Sequence, residues 1–309
     1  MLSLVISPVF AQTASTSAAS SHRIGVLTDL NWTDPNAAGF LKAFTEHLQA
    51  LGYMAGRDFL LELRAADRNA NLLANHAVEL AKRSTVIVTA SSSAGKAAHE
   101  ATKSIPIVGC GSDSVMGGNM TGFSGVAEHQ GEFLAQLKAV IPELKRVALL
   151  FDRSYFAVPP LISSSERAAE KLGLALIHAE VNGVSDWASQ FAQLKRSGAQ
   201  AVLALNHPDF RRERSRLTAL AIEHGLPLSS PYRENAEAGA LLAHSQDFRW
   251  IGASVAGYVD RLLKGARISE LPVNRDAPFQ LFVNLRTARV LGVTVPDSLL
   301  QQASGVFGR

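Results

Sequence analysis

Along this chain, short apolar runs alternate with stretches whose apolar residues recur every three or four positions. Ile24-Gly25-Val26-Leu27 runs into Thr28-Asp29-Leu30-Asn31-Trp32. Val86-Ile87-Val88 runs into Thr89-Ala90-Ser91-Ser92-Ser93, and Ile107-Val108 into Gly109-Cys110-Gly111-Ser112-Asp113. The pattern restarts with Val147 to Phe151 before Asp152-Arg153-Ser154-Tyr155, and recurs at Ala201 to Leu205 before Asn206-His207-Pro208-Asp209. Such runs suit strands buried on both faces, as in parallel sheets. Open α/β sheets bind ligands outside the carboxyl ends of their strands. The five polar loops are therefore where function should lie, and they fall into two batches.

Between the runs the period changes to that of helices. Asp34-Pro35 reads as an N-cap followed by proline in the first turn, and Phe40, Leu41, Phe44, Leu48 and Leu51 follow at helical spacing up to Gly52. Further helices are expected around Leu72–Leu80, Ala94–Thr102 and Phe133–Val140. Others end at Gly173, Gly198 and Gly225. Further strands are expected at Phe59–Leu63, Ile105–Val108, Leu174–Ala179 and Leu226–Ser229. A glycine-rich break, Gly117 to Gly125, separates two βα ladders. The tail adds a strand near Gly239–His244, a helix over Ile251–Leu263, a strand at Phe279–Val283 and a helix at Arg286–Leu291, so the chain crosses between lobes more than once. The expected fold is α/β, with two similar doubly wound lobes. Residues 22–118 with about 238–272 form one lobe, and 119–237 with about 273–309 the other.

The 309 residues suffice for two such lobes, and 47% of them are apolar. Charged residues are 18%, below the globular average of about 25%, and the net charge is only +3. The densest basic stretch, Arg211 to Arg216, reads as a solvated helix face opposite Leu217 and Leu220. No aromatics interleave it, so no nucleic-acid partner is expected. Residues 1–21 read as a signal-peptide remnant and linker: an apolar start, a small-residue site at Val9-Phe10-Ala11, then mostly Ser, Thr and Ala. The single cysteine, Cys110, excludes an intrachain disulfide and a cysteine-built zinc site.

Catalytic patterns are missing. Gly95-Lys96 lacks the upstream glycine and the Ser or Thr of a phosphate-binding loop. Gly109-Cys110-Gly111 lacks the third glycine of a dinucleotide fingerprint. The nine histidines show no metal-ligand spacing, and no cofactor or metal is expected. Only His207 sits in a strand-end loop. The loops instead offer capture chemistry. Ser91, Ser92 and Ser93 open a helix whose free N–H groups suit a carboxylate. Trp32 and Tyr155 could flank a flat ligand from opposite lobes. Asp113, Asp152 and Glu234 could accept an ammonium group. Asn31, Ser112, Asn206, His207 and Tyr232 complete the candidate set. Each has a plainer reading as a cap, turn or core residue.

Several short stretches in order then resemble a known family. They are Arg23 to Leu27, Leu51-Gly52-Tyr53 with Gly56-Arg57, Thr102 to Val108 and Asn119-Met120-Thr121-Gly122. Toward the C-terminus they continue with Asp260 to Ala266, Leu271-Pro272-Val273, Asn284 to Ala288 and Leu291 to Pro296. The chain is similar here, over about residues 22–302, to the substrate-binding proteins of ABC importers with the type 1 periplasmic-binding fold. Within them it resembles a group associated with amino-acid uptake, in some members of tryptophan or tyrosine. It departs from them in the shorter segment Ser114 to Gly118, which lines the cleft in that fold.

The resemblance implies two lobes joined by a three-segment hinge and a ligand between them. It also implies a periplasmic monomer that docks on an inner-membrane permease. The expected ligand is a small organic molecule, an amino acid or related carboxylate. Ser91 to Ser93 and Ser112 would hold its carboxylate, with Tyr155, Asn206 and Glu234 at the other end. Alternatives are a ligand-sensing domain of a receptor or regulator, and a two-lobed α/β enzyme such as a racemase-like protein or hydrolase.

Overall fold

The apolar runs become strands sealed on both faces. Four central ones are Val86–Thr89, Ile107–Cys110, Arg146–Phe151 and Ala201–Ala204; they are buried throughout apart from Arg146 at one strand's start. The structure, a computed structural model, describes residues 22–124 and 126–309. The expected signal-peptide remnant over 1–21 lies outside the described residues.

The first lobe runs β1 (His22–Thr28), α1 (Pro35–Ala50), β2 (Phe59–Ala65), α2 (Ala70–Ala81), β3 (Val86–Thr89), α3 (Ser92–Ala101), β4 (Ile107–Cys110) and β5 (Met120–Phe123). The second runs α4 (Gln130–Val140), β6 (Arg146–Phe151), α5 (Val158–Leu172), β7 (Ala175–Glu180), α6 (Trp187–Arg196), β8 (Ala201–Ala204), α7 (Pro208–Arg212), α8 (Arg214–Glu223), β9 (Leu228–Ser230), α9 (Arg233–Ala238) and β10 (Leu242–Gln246). The chain returns to the first lobe for α10 (Phe248–Leu263). It ends in the second with β11 (Phe279–Asn284), α11 (Leu285–Leu291), α12 (Asp297–Gln302) and β12 (Ala303–Phe307).

The first sheet has the order β2-β1-β3-β4-β5 and is parallel throughout. The second has the order β12-β11-β10-β9-β8-β6-β7, with β10 and β11 its one antiparallel pair. Helices cover both faces of each. In the first lobe, Phe40, Phe44 and Leu48 of α1 pack with Val255 and Val259 of α10 on one face, and Leu73, Ala77 and Leu80 of α2 lie on the other. Gly252 lets α10 approach α1 closely, since a Cβ there would lie 2.3 Å from the Phe40 carbonyl oxygen. This is the doubly wound arrangement expected from the sequence.

The lobe boundaries differ from those expected. Met120–Phe123 lies inside the glycine-rich break, yet pairs with β4 as the edge strand of the first sheet. Its glycine is what permits this. Gly122, at φ +130°, stands opposite Gly109, and a Cβ on it would meet the Gly109 carbonyl oxygen at 2.3 Å. The tail strand, expected in the first lobe, is β10 of the second sheet, where it joins β9 and β11. The first lobe thus extends to Phe123 and resumes at α10. Three connectors run side by side between the lobes. Ser124 N–H donates to the Asn274 carbonyl (3.0 Å), Asn274 N–H to that of Gly122 (2.8 Å), and Asp247 N–H to that of Pro278 (3.2 Å).

Candidate functional site

The strand-end loops of both lobes meet around one cavity of about 90 Å³. From the first lobe come Asp29 after β1, Ser91 to Ser93 after β3, and Cys110 at the end of β4. From the second come Tyr155 after β6, Asn206 after β8, and Tyr232 after β9. Gln246 and Phe248, flanking a hinge connector, close one side. Asp29, Ser93 and Tyr155 also line a neighbouring, wider space of about 370 Å³ edged by Arg68, Lys96 and Phe156. A side branch of about 30 Å³ reaches Ser112 and Asp113 beside Ser92, Tyr155 and Asn206.

The serines sit where the helix start puts them. Ser91 caps α3, its hydroxyl accepting from Ala94 N–H at 3.2 Å. The backbone N–H groups of Ser92 and Ser93, in the first turn, have no intrahelical acceptor and are suited to an anion. Ser93 faces the Tyr155 hydroxyl, which burial pushes up to about 12, with the Asp29 charge adding to the rise. Burial likewise pushes the Tyr232 hydroxyl well above its ordinary range. Both tyrosines are neutral donors near neutral pH. Burial also pushes the Cys110 thiol up to about 12, so it forms an inert wall.

Other candidates are spent elsewhere. Trp32 packs on the first-lobe core rather than lining the cavity. Asn31 lies outside it, donating to Asp67 at 3.2 Å and accepting from Thr33. For Asp152, burial alone would raise the pKa. Hydrogen bonds from Ser154 (N–H, 2.9 Å) and the Gly183 N–H (3.1 Å) outweigh it and hold the carboxylate below its usual range. His207 caps α7, its Nδ1 accepting from Asp209 N–H at 3.2 Å, and burial lowers its pKa, leaving it neutral. Asp113 pairs with Arg275 at 3.0 Å on the rim.

Glu234 faces across the lobes, toward protein rather than ligand. Arg211 is 8% exposed, not the solvated residue expected of its basic stretch. Its Nη2 reaches Asp34 of the first lobe at 2.8 Å and Glu234 of the second at 2.5 Å. Asn36 of the first lobe donates to Glu234 at 3.3 Å. Together these residues bridge the two lobes, and Arg211 itself lines the cavity.

Several cavity residues escape the sequence reading, among them Asp29, Arg68, Arg211, Gln246 and Phe248. Asp29 stands in a recognised strand-end loop, but nothing marks it from its neighbours. Arg68 follows β2, whose end was not singled out; its φ of +63°, unusual for a non-glycine residue, is the feature that marks it in the structure. Among the described residues no group of three His, Cys, Asp or Glu side chains could hold a metal ion, and no helix is long and apolar enough to cross a membrane.

Residues 33–307 match the family model described as ABC transporter substrate binding protein. No curated protein sequence matches the chain. Among solved structures, a conserved domain protein from Vibrio cholerae shares 21% identity at a TM-score of 0.80, with 93% of this chain and 99% of that one covered. An ABC domain in complex with L-Trp from Streptococcus pneumonia shares 22% at 0.80, covering 93% and 100%. The ligand-free, open structure of a substrate-binding protein with adhesive properties from Clostridium difficile shares 19% at 0.72, covering 93% and 100%. The fold is the type 1 periplasmic-binding fold.

Proposed function

The chain belongs to the family of ABC transporter substrate binding proteins, and we propose that it captures an amino acid or related carboxylate between its lobes and delivers it to an inner-membrane permease. Family and fold are those of binding proteins rather than enzymes. The observation that carries the reading is the meeting of Ser91 to Ser93 of one lobe with Tyr155, Asn206 and Tyr232 of the other around a single cavity. A carboxylate at the α3 N-terminus would accept from the Ser92 and Ser93 N–H groups. Asn206 and the two tyrosine hydroxyls would bind its other polar atoms, and the tyrosine rings would cover its apolar part. Ser112 and Asp113 border a side branch where a longer ligand could extend. Glu234, tied to Arg211, acts in closure instead of touching ligand.

A ligand that bridges both lobes binds the closed state better than the open one, and that difference is the signal a permease can read. In this reading the protein is an exported periplasmic monomer. The structure with bound L-Trp at 22% identity makes aromatic amino acids the first to try. Calorimetry across the proteinogenic amino acids and simple aromatic acids is expected to find at least one that binds one-to-one. Ser92→Trp, which fills the cavity, is expected to weaken that binding at least a hundredfold while leaving the thermal transition cooperative. Heat uptake with none of them, or undiminished binding by the variant, refutes the assigned site.

A further inference from the structure

Among the described residues, Asp29 is the carboxylate lining these cavities that has no ion-pair partner. It follows β1 directly, and its Oδ1 is buried without a hydrogen-bond partner. Its one main-chain tie leaves the side chain free: the Arg68 N–H donates to the Asp29 carbonyl oxygen at 2.5 Å. The other described acidic residues lining these cavities each have an ion-pair partner on the protein, although Oδ1 of Asp113 makes no hydrogen bond. Glu100 meets Lys96 at 2.5 Å, and Asp113 meets Arg275 at 3.0 Å. The carboxylates just outside are engaged too, Asp34 and Oε1 of Glu234 by Arg211 and Asp152 by backbone N–H groups, although Oε2 of Glu234 is buried without a partner.

A buried carboxylate oxygen without a donor is costly, and a donor carrying positive charge offsets that cost best. Asp29 lines the cavity together with Tyr155, Tyr232 and Phe248. The Asp29 charge is felt at both tyrosine hydroxyls. Aromatic rings beside a carboxylate suit a compact cation such as an alkylammonium, which offers three donors. The opposite charge has its own place, since the α3 N-terminus and Arg68 border the same cavity.

We propose that Asp29 is a specificity-determining residue that receives a protonated amine of the ligand, so the site admits amino acids and amines and rejects amine-free carboxylates of the same shape. This rests on the capture reading above and narrows it. Asp29→Asn keeps the shape and the main-chain bond to Arg68 while removing the charge.

The test uses two matched sets: L-tryptophan, tryptamine and indole-3-propanoate; and L-phenylalanine, phenethylamine and 3-phenylpropanoate. Each is titrated calorimetrically into the wild type and Asp29→Asn. The expected result is binding by amine-bearing members of at least one set. The matched acid should be at least tenfold weaker, and Asp29→Asn should lose at least tenfold for the amines. An acid that binds as tightly as its amino acid, or a variant with undiminished amine affinity, overturns the role of Asp29 while leaving capture intact. If neither set binds, the small molecule released by denaturing the purified protein decides. A compound that reacts with dansyl chloride supports the proposal. An amine-free one overturns it alone, and the absence of any compound overturns both readings.

Discussion

His244 lies deep in the second lobe with its ring stacked on Phe133 at 4.0 Å between centroids. Ser229 faces its Nδ1 at 3.3 Å, and Gln136 bonds its Nε2. Burial pushes its pKa down to about 3, with His129 adding to the fall. The unfolded chain takes up a proton near pH 6.5 where the folded one does not. The contribution of neutral His244 is therefore fully present above about pH 6.5 and is lost as pH falls toward 3, at up to about 1.4 kcal/mol per unit. Urea unfolding should show roughly 1 to 2 kcal/mol of this loss between pH 6.5 and 5. His244→Gln should lack that part of the slope, and an unchanged slope would mean that the imidazole is solvated. At this scale the sequence was partly legible. Ser91 to Ser93, Tyr155, Asn206 and Tyr232 stand where strand-end loops place them, around the cavity. Asp152 and Glu234 were indistinguishable from ligand contacts because the groups that occupy them, Gly183 and Arg211, are remote in sequence. Asp29 escaped notice because a missing partner is visible only once the fold has brought every donor into place.

At the scale of elements, the central strands and the Asp34-Pro35 start of α1 could be read directly, since continuous apolar runs and caps are local signals. The Asp34 side chain does accept from Asn36 N–H, at 3.0 Å. Prolines shift two strands later than the apolar runs indicated. Pro106 and Pro227 have no N–H to donate, and the ladders begin at Ile107 and Leu228. The edge strand β5 was hidden because its glycine pairing with Gly109 looks, in sequence, like a flexible break. The short helix α7 has a similar history. Its Arg211 read as part of a charged surface, yet it joins α7 to the Asp34 cap of α1 and to Glu234 of α9. Replacing it by leucine leaves two carboxylates facing each other across the cleft without their cation. Arg211→Leu should shift the lobes toward an open arrangement, read as a larger radius of gyration in small-angle scattering. Ligand affinity should fall about tenfold or more, as expected when the closed fraction drops. Unchanged scattering and affinity would reduce the bridge to a surface ion pair of little consequence.

For the whole molecule, the two batches of loops became two sheets whose carboxyl ends face one another, joined by three adjacent connectors. Such a hinge lets the lobes move as units, while the cavity is complete only where they meet. That division was legible because βα ladders carry a strong period. The path of the tail was not, because sheet membership of β10 and α10 depends on pairing across the hinge. Capture as proposed requires a small molecule to occupy this cavity between the lobes. Native mass spectrometry of the protein, gently purified and then incubated with the proteinogenic amino acids, tests it most directly. A single one-to-one adduct of small organic mass is expected, absent from Ser92→Trp. Bare protein in every sample, or an adduct that survives in Ser92→Trp, would contradict it.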